Sequence, residues 1–325
     1  SALEALFQRQ VIEVKEELVL KEDIPRLNSI TDDVSVAVQN QYEENPYPRW
    51  VSTRLEIKSQ NIKQVLAKAE LQVIKAIGFF PEAPQILIAG CGTGQHAVCT
   101  ASRFKNSHVT AIDLSLSSLA YAKRKTEEFG VTNIDYLQAD ILDLELLDKQ
   151  FDIIESAGVL HHMADPIAGW KALTDCLKPN GLMKIGLYSE LARQSVVKAR
   201  EMVKEKKILP DKEGMLEFRR QITKLNDPEI YVLENSSDFY STSTIRDLLF
   251  HIQEHRFTIP QISEALDELN LAFMGFEFPH KMTGKVFKEV YPKEGAIYNL
   301  DKWHEYEKLN PKLFSGMYQF WAQKV

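Results

Sequence analysis

Apolar and polar residues follow two different patterns along this chain. Residues 3–22 place apolar side chains at helical spacing between charged ones, and residues 59–77 repeat that pattern, so both segments are predicted helices. Between them, residues 39–50 (QNQYEENPYPRW) contain two prolines and no period. Because proline favours extended geometry in the residue before it, we expect an ordered loop or arm here rather than a helix.

The second pattern begins at Gln85, where short apolar runs alternate with helical segments. Continuous apolar strands separated by helices favour a parallel sheet that is covered on both faces. Two late runs near the C-terminus predict two further strands. The fold class is therefore predicted as α/β, with a doubly wound, mostly parallel sheet. The predicted strands are ILIAG (86–90), HVTAID (108–113), IDYLQAD (134–140), FDIIES (151–156), LMKIGLYS (182–189), LAFMGFEF (271–278) and MYQFWAQKV (317–325).

A long helical stretch separates the fifth predicted strand from the sixth. The pattern divides the chain into an N-terminal helical arm or cap (1–80), a cofactor-binding core (81–190), a helical lid insertion (191–270) and two C-terminal strands that complete the core (271–325). A lid that excludes water from the strand ends suits a discrete substrate. The alternative is that the insertion forms a homodimer contact or additional core.

Composition and charge narrow the class of protein. The 325 residues are 44% hydrophobic with a net charge of -7, and no apolar stretch reaches the length of roughly 20 residues that a bilayer helix needs. We therefore expect a cytoplasmic protein without a membrane partner. The acidic balance argues against nucleic acid as a partner, because phosphate binding needs clustered Lys and Arg. The three cysteines form no CxxC pair, and we expect no metal site. The start at Ser1 suggests a piece of a longer polypeptide.

A glycine-rich turn follows the first predicted strand, where ligands bind in parallel sheets. Gly90, Gly92 and Gly94 allow a sharp turn and the close approach of a ligand. A dinucleotide fingerprint would place its third glycine at position 95, where this chain has Gln95. This argues against NAD or FAD.

Acids follow the second and third predicted strands. Asp113 lies about 20 residues beyond the glycines, where an acid accepts the hydroxyls of a ribose. Asp140 ends the next strand and is expected to accept from an adenine amine, with Ile141 against the ring. The alternative is that both acids are helix N-caps.

These motifs resemble those of class I S-adenosylmethionine-dependent methyltransferases. ILIAGCGTG, AIDLS, QADILD, FDIIESAGVLHHM and LKPNGLMKIGLYS occur in order over roughly residues 85–190. The resemblance implies a Rossmann-like, seven-stranded sheet whose last strand is antiparallel and inserted beside the sixth. It also implies the cofactor S-adenosyl-L-methionine, with S-adenosyl-L-homocysteine as product. The cofactor residues it implies are Gly90, Cys91, Gly92, Gly94, Asp113, Leu114, Asp140, Ile141 and Ser156.

Two further segments are similar to parts of bacterial methyltransferases that follow tetratricopeptide repeats. They are QYEENPYPRW (41–50) and STSTIRDLLFHIQEH (241–255). This similarity implies a tetratricopeptide-repeat region upstream of Ser1.

Candidate catalytic residues follow from the same resemblance. In several small-molecule methyltransferases a histidine at the position of His161 pairs with a tyrosine from an N-terminal arm. Our hypothesis is that His161 orients or deprotonates the acceptor, with Tyr42 or Tyr47 closing over it. His162 and Tyr188 are candidate substrate contacts. The alternative for His161 is a structural hydrogen bond to a backbone carbonyl.

The function indicated is methyl transfer by in-line displacement to a small molecule or a protein side chain. Two other classes remain as alternatives. One is a non-catalytic module that senses the cofactor or docks a partner. The other is an NAD-dependent oxidoreductase, which Gln95 disfavours. The sequence leaves open the identity of the acceptor and the atom that is methylated.

Overall fold

A seven-stranded sheet organises the computed structural model, which describes residues 1–74, 80–225, 227–234, 239–278 and 282–325. The strand order is β3-β2-β1-β4-β5-β7-β6. The first five strands are parallel, and β7 is antiparallel to both β5 and β6. The predicted fold class and the position of the last strand are therefore confirmed. The strands are β1 Gln85–Ala89, β2 His108–Asp113, β3 Ile134–Gln138, β4 Phe151–Ala157, β5 Leu177–Leu187, β6 Leu271–Phe276 and β7 Tyr318–Lys324.

Helices flank the sheet and extend from it at both ends of the chain. Within the described residues, none of them is long and apolar enough to cross a membrane. The α-helices are α1 Ala2–Phe7, α2 Glu13–Glu22, α3 Asp33–Glu44, α4 Ile62–Lys68, α5 Gln95–Arg103, α6 Leu116–Glu128, α7 Pro166–Asp175, α8 Gln194–Glu205, α9 Lys212–Ile222, α10 Pro228–Glu234, α11 Thr242–Phe250, α12 Ile259–Glu268, α13 Met282–Val290 and α14 Leu300–Leu309.

The apolar strands form because both of their faces are covered. In β1, Leu87 and Ala89 face the cluster that contains α7, α12 and α14, whereas Ile86 and Ile88 face the cluster that contains α4, α5 and α6. All four side chains are fully buried. This two-sided burial accounts for the continuous apolar run in the sequence, since alternation would be expected only of a strand with one wet face.

The N-terminal arm differs from its prediction. Residues 39–44 are helical, as the second half of α3, whereas the sequence predicted a loop over 39–50. The helix begins where the Asp32 carboxylate accepts from the backbone N–H of Ser35 at 2.8 Å. It continues to Glu44, two residues before Pro46, because proline restricts only its immediate predecessor.

The second predicted N-terminal helix is shorter than expected. The pattern predicted helix over 59–77, but α4 ends at Lys68 and is followed by Glu70 with a positive φ of 55°. Leu71 leaves the helix to pack in the core. Residues 75–77 lie outside the described part of the chain.

The insertion after β5 has an apolar core of its own. Helices α8 to α11 bury a cluster that includes Met215, Phe218 and Ile245. By contrast, Ile259 and Ile262 of α12 pack in the cluster on the face of the sheet. Helices α8 to α11 are called the insertion below, and α12 packs on the sheet. The domain boundaries given by the sequence stay predictions.

Candidate active site

A cavity of about 320 Å³ lies at the carboxyl ends of the parallel strands. Its wall combines the glycine turn after β1, the ends of β2 to β5, the arm and one residue of the insertion. It therefore brings together most of the residues singled out from the sequence. Of these, the wall contains Tyr42, Tyr47, Gly90, Cys91, Gly92, Asp113, Leu114, Asp140, Ile141, His162 and Tyr188.

Two glycines shape the floor of the cavity. Gly90 has a φ of 73°, and a Cβ there would lie 2.2 Å from Val159 Cγ2. Gly92 has a φ of 52°, and its Cβ would lie 2.9 Å from the carbonyl oxygen of Tyr47. Side chains at either position would therefore clash and would also strain the backbone. The arm closes on this turn, since Trp50 Nε1 donates to the carbonyl of Thr93 at 2.9 Å.

Two residues expected at the cofactor lie outside the wall. Gly94 begins α5 with a φ of 84°, and a Cβ there would approach Ala122 Cβ to 2.6 Å. Its contact is therefore with helix α6. Ser156 is buried and its hydroxyl donates to the carbonyl of Ala89 at 3.1 Å. The neighbouring residue, Ala157, is the one that lines the cavity.

Asp113 is held in place by the glycine turn. Its carboxylate accepts from the backbone N–H of Gly92 at 2.8 Å and from that of Ser115 at 2.9 Å. Desolvation in the cavity wall raises the pKa of Asp113 to about 6, against the opposing effect of those hydrogen bonds. The N-cap of α6 is Ser115, so Asp113 does not cap that helix.

Asp140 combines the two roles proposed for it. It caps the short 3₁₀ helix Ile141–Leu147, accepting from the backbone N–H of Leu142 at 3.0 Å. It also lines the cavity, beside Ile141. The helix-capping alternative therefore applies to Asp140 without removing it from the site.

The two adjacent histidines occupy different places. His161, predicted as the base, is fully buried behind the wall, and neither of its ring nitrogens has a hydrogen-bond partner among the described residues. Its ring stacks on Tyr188 with centroids 3.9 Å apart. His162 lines the cavity instead. Burial lowers the pKa of His161 well below its usual value.

His162 is fixed in one tautomer. Its Nδ1 lies 2.7 Å from the carbonyl oxygen of Gln253, so Nδ1 carries the proton and Nε2 keeps the lone pair. Burial lowers the pKa of His162 to about 4. The ring is therefore a neutral hydrogen-bond acceptor at physiological pH.

Tyr42 pairs with a residue that the sequence did not reveal. Its hydroxyl donates to Asp247 Oδ1 at 2.5 Å, whereas the prediction paired an arm tyrosine with His161. Burial, then the charge of Asp247, raises the pKa of Tyr42 well above its usual value, so the hydroxyl stays protonated. Asp247 comes from α11 and is a lone acid on an apolar helix, which is the one signal that would have indicated it.

His162, Asp247 and His251 form a compact buried cluster. Their ligand-type atoms lie within 4.8 Å of one another. The two imidazole rings stack with centroids 3.6 Å apart and planes 20° apart. The backbone N–H of Gln253 donates to His251 Nδ1 at 3.2 Å, which leaves the proton on Nε2.

A second unpredicted residue, His96, lies in the first turn of α5. Its Nε2 is 2.6 Å from Glu155 Oε2, and its ring lines the cavity. Glu155 is fully buried and also accepts from Arg103 at 2.5 Å. Despite burial, the cations Arg103 and His96 hold the pKa of Glu155 well below its usual range. Among the described residues that line the cavity, His96 and His162 are the histidines.

Comparisons with known proteins agree with this geometry. Residues 86–181 match a family described as a methyltransferase domain. An uncharacterized protein of Synechococcus is 28% identical over 71% of this chain and 58% of its own length. A probable (S)-tetrahydroprotoberberine N-methyltransferase of Papaver bracteatum is 32% identical over 30% of this chain and 27% of its own. The chain thus spans less than two thirds of these relatives.

A solved structure has the same fold. PKMT2 from Rickettsia typhi, in complex with AdoHcy, superposes with a TM-score of 0.55 at 16% identity, over 74% of this chain and 48% of that one. At this level of identity the likeness extends to the fold alone.

Proposed function

Because residues 86–181 form a class I S-adenosylmethionine-dependent methyltransferase domain, we propose that this chain transfers a methyl group from S-adenosyl-L-methionine to a small molecule or a protein side chain. The observation that carries the proposal is the shared cavity. The glycine turn, Asp113, Asp140 and a neutral His162 all open onto it. That set supplies a nucleotide cradle and an acceptor contact within one enclosed space.

The order of the strands gives the cofactor its direction. Asp140 follows β3, Asp113 follows β2 and the glycine turn follows β1, and these strands are neighbours in the sheet. An adenine beside Asp140 and Ile141 and a ribose on Asp113 therefore direct the 5′ substituent across β1 towards β4. His96 lies on that side of the turn and would meet the carboxylate of the amino-acid portion. A side chain at Gly90 or Gly92 would obstruct this path.

The acceptor would lie at the ends of β4 and β5. S-adenosyl-L-methionine supplies a methyl group on a sulfonium, which leaves by in-line displacement, so the protein mainly has to position the acceptor. His162 Nε2 accepts a hydrogen bond from the attacking group, and Tyr42 and Tyr47 close the space from the arm. We therefore assign the orienting role first given to His161 to its neighbour His162. Tyr188 completes this end of the wall.

The cavity size favours a compact acceptor. At about 320 Å³ it lies near the lower limit for ligand sites, which run from about 300 to 1,000 Å³. The Papaver relative, a probable (S)-tetrahydroprotoberberine N-methyltransferase, is consistent with a small-molecule acceptor. A protein side chain entering the mouth remains the second kind of acceptor. Cytoplasmic location, an upstream tetratricopeptide-repeat region and homodimer formation stay predictions.

The direct test supplies methyl-labelled S-adenosyl-L-methionine and the purified chain to an extract of its source organism. We expect label in small metabolites, and label in polypeptide would indicate a protein acceptor. Asp113→Asn should abolish transfer through lost cofactor binding, whereas the exposed Asp267→Asn on α12 should not. Cofactor binding without transfer would instead support the non-catalytic module, and binding of NAD alone would support the oxidoreductase.

A further inference from the structure

Three carboxylates lie in the described part of the cavity wall. Asp113, Asp140 and Asp247 line it, and among the described residues it contains neither Lys nor Arg. Asp113 and Asp140 lie at the ends of β2 and β3, where the proposed nucleotide occupies them. Asp247 lies at the other end, beside Tyr42 and His162. The carboxylate of Asp247 therefore lies at the acceptor's end of the wall, where the hydroxyl of Tyr42 donates to it.

The nearby arginines lie behind this wall. Arg193 Nη2 and Arg200 Nη1 bind the buried Glu254 at 2.7 and 3.3 Å. The guanidinium carbon of Arg193 is 3.4 Å from the ring centroid of Tyr188, and His161 stacks on the same ring at 3.9 Å. Such short distances require one partner on each face of the Tyr188 ring, and neither Arg193 nor His161 lines the cavity. The arginines therefore place positive charge near Asp247 without lining the site.

The hydrogen-bonding groups at this end are mainly acceptors. His162 offers the lone pair of Nε2, because its Nδ1–H is used on the carbonyl of Gln253. The ionised carboxylate of Asp247 offers only hydrogen-bond acceptors, and the hydroxyl of Tyr42 already donates to one of its oxygens. A ligand that fits this pattern brings several donors and a positive charge. An alcohol brings one donor, and a carboxylate would be repelled.

We propose that the methyl acceptor is an amine, which enters as an ammonium and binds to Asp247 and His162. This inference rests on the proposed function and names its substrate class. The ammonium gives one proton to the carboxylate of Asp247. The nitrogen lone pair then forms the new C–N bond while the S–C bond of the donor breaks and its electron pair stays on sulfur. The product is a methylated ammonium, and Asp247 releases its proton to solvent.

A matched pair of probes tests the inference without a known substrate. Benzylamine, protonated at pH 7, and benzyl alcohol have the same shape and differ in charge and donor number. Calorimetry on the chain saturated with S-adenosyl-L-homocysteine should show the amine binding about tenfold more tightly, as expected of a charge-assisted hydrogen bond compared with a neutral one. Equal binding, or tighter binding of the alcohol, would overturn the proposal.

Two variants locate the effect. Asp247→Asn should remove the preference for the amine while the affinity for S-adenosyl-L-homocysteine stays within twofold, which also reports that the variant is folded. Asp267→Asn, an exposed acid on α12, should leave the preference intact. If Asp247→Asn does not fold, the comparison of the two probes on the wild-type chain still decides the question. A preference that survives in folded Asp247→Asn would contradict the role of Asp247.

Transfer products separate this inference from the proposed function. Label from methyl-labelled S-adenosyl-L-methionine should appear in products that a cation exchanger retains. Label found only in ethers or esters would overturn the amine while leaving methyl transfer intact. Absence of transfer to any acceptor would count against the proposed function. The calorimetric comparison of benzylamine with benzyl alcohol would still decide whether the site prefers an amine.

Discussion

A single carboxylate, Asp113, makes cofactor affinity sensitive to pH. Its pKa is raised to about 6 because ionisation in the cavity wall is costly. Ribose hydroxyls bind the ionised form, so cofactor binding must expel the proton below that pH. Affinity for S-adenosyl-L-homocysteine should therefore be full above about pH 7 and fall by up to about tenfold per unit below pH 6. Calorimetry between pH 5 and 8 measures this slope.

The variant Asp113→Asn tests the origin of that slope. An amide resembles the protonated acid, so affinity should be low at every pH and the slope should disappear. A wild-type affinity that stays constant between pH 5 and 8 would show that Asp113 is already ionised without the cofactor.

His96 is expected to recognise the amino-acid portion of the cofactor. Nε2 of His96 lies against Glu155, so Nδ1 is the ring nitrogen that is expected to contact an incoming carboxylate. His96→Ala should weaken S-adenosyl-L-homocysteine by about tenfold, since hydrogen bonds to charged groups contribute about 1.5–3 kcal/mol. Methylthioadenosine, which lacks the amino acid, should bind as before. Calorimetry with both ligands makes the comparison.

The surface pair of His108 and Asp135 provides the matched control for His96. These side chains make the same kind of contact at 2.8 Å, far along β2 from the cavity. His108→Ala should change the affinity for neither ligand. Equal losses of both ligands in His96→Ala would indicate general damage to the turn, and the role assigned to His96 would be wrong.

At the level of elements, burial decided which predictions succeeded. The strands were predictable because both of their faces are buried, which leaves an uninterrupted apolar run in the sequence. The glycine turn and the acid of Asp113 were predictable because they sit at fixed positions relative to those strands. The helix α3 was missed because the prolines that follow it suggested a loop, although they act only on the residues beside them.

The acceptor end of the site was less predictable for a geometric reason. His161 and His162 are adjacent in a short 3₁₀ turn, and the phase of that turn alone decides which ring reaches the cavity. Asp247 lies 85 residues after His162, and the path of the insertion brings it to Tyr42. Local patterns encode neither the phase of such a turn nor the path of an insertion, so these contacts required the structure.

On the scale of the whole molecule, three distant segments close one cavity. The sheet supplies the floor, the arm supplies Tyr42 and the insertion supplies Asp247. The arm and the insertion also meet at the surface, where Arg246 Nη1 lies 2.6 Å from Glu44 Oε2. Separation of these two segments would widen the mouth of the cavity, and the contacts between them oppose it.

The two contacts between arm and insertion should differ in strength. The carboxylate of Glu44 is 66% exposed, so its pair with Arg246 should contribute less than about 1 kcal/mol. The bond from Tyr42 to Asp247 is partly buried and involves a carboxylate, and its loss should cost about 1–3 kcal/mol. Tyr42→Phe should therefore speed amide hydrogen exchange across α11 about five- to thirtyfold or more, whereas Glu44→Gln should change it less than about fivefold. Mass spectrometry of peptides covering 242–250, without and with S-adenosyl-L-homocysteine, measures both exchange rates.

Slower exchange with ligand in the wild type would show that cofactor binding stabilises the contact between arm and insertion. Equal exchange in the two variants would mean that the bond from Tyr42 to Asp247 does not hold arm and insertion together, and that the packing within the insertion does so instead.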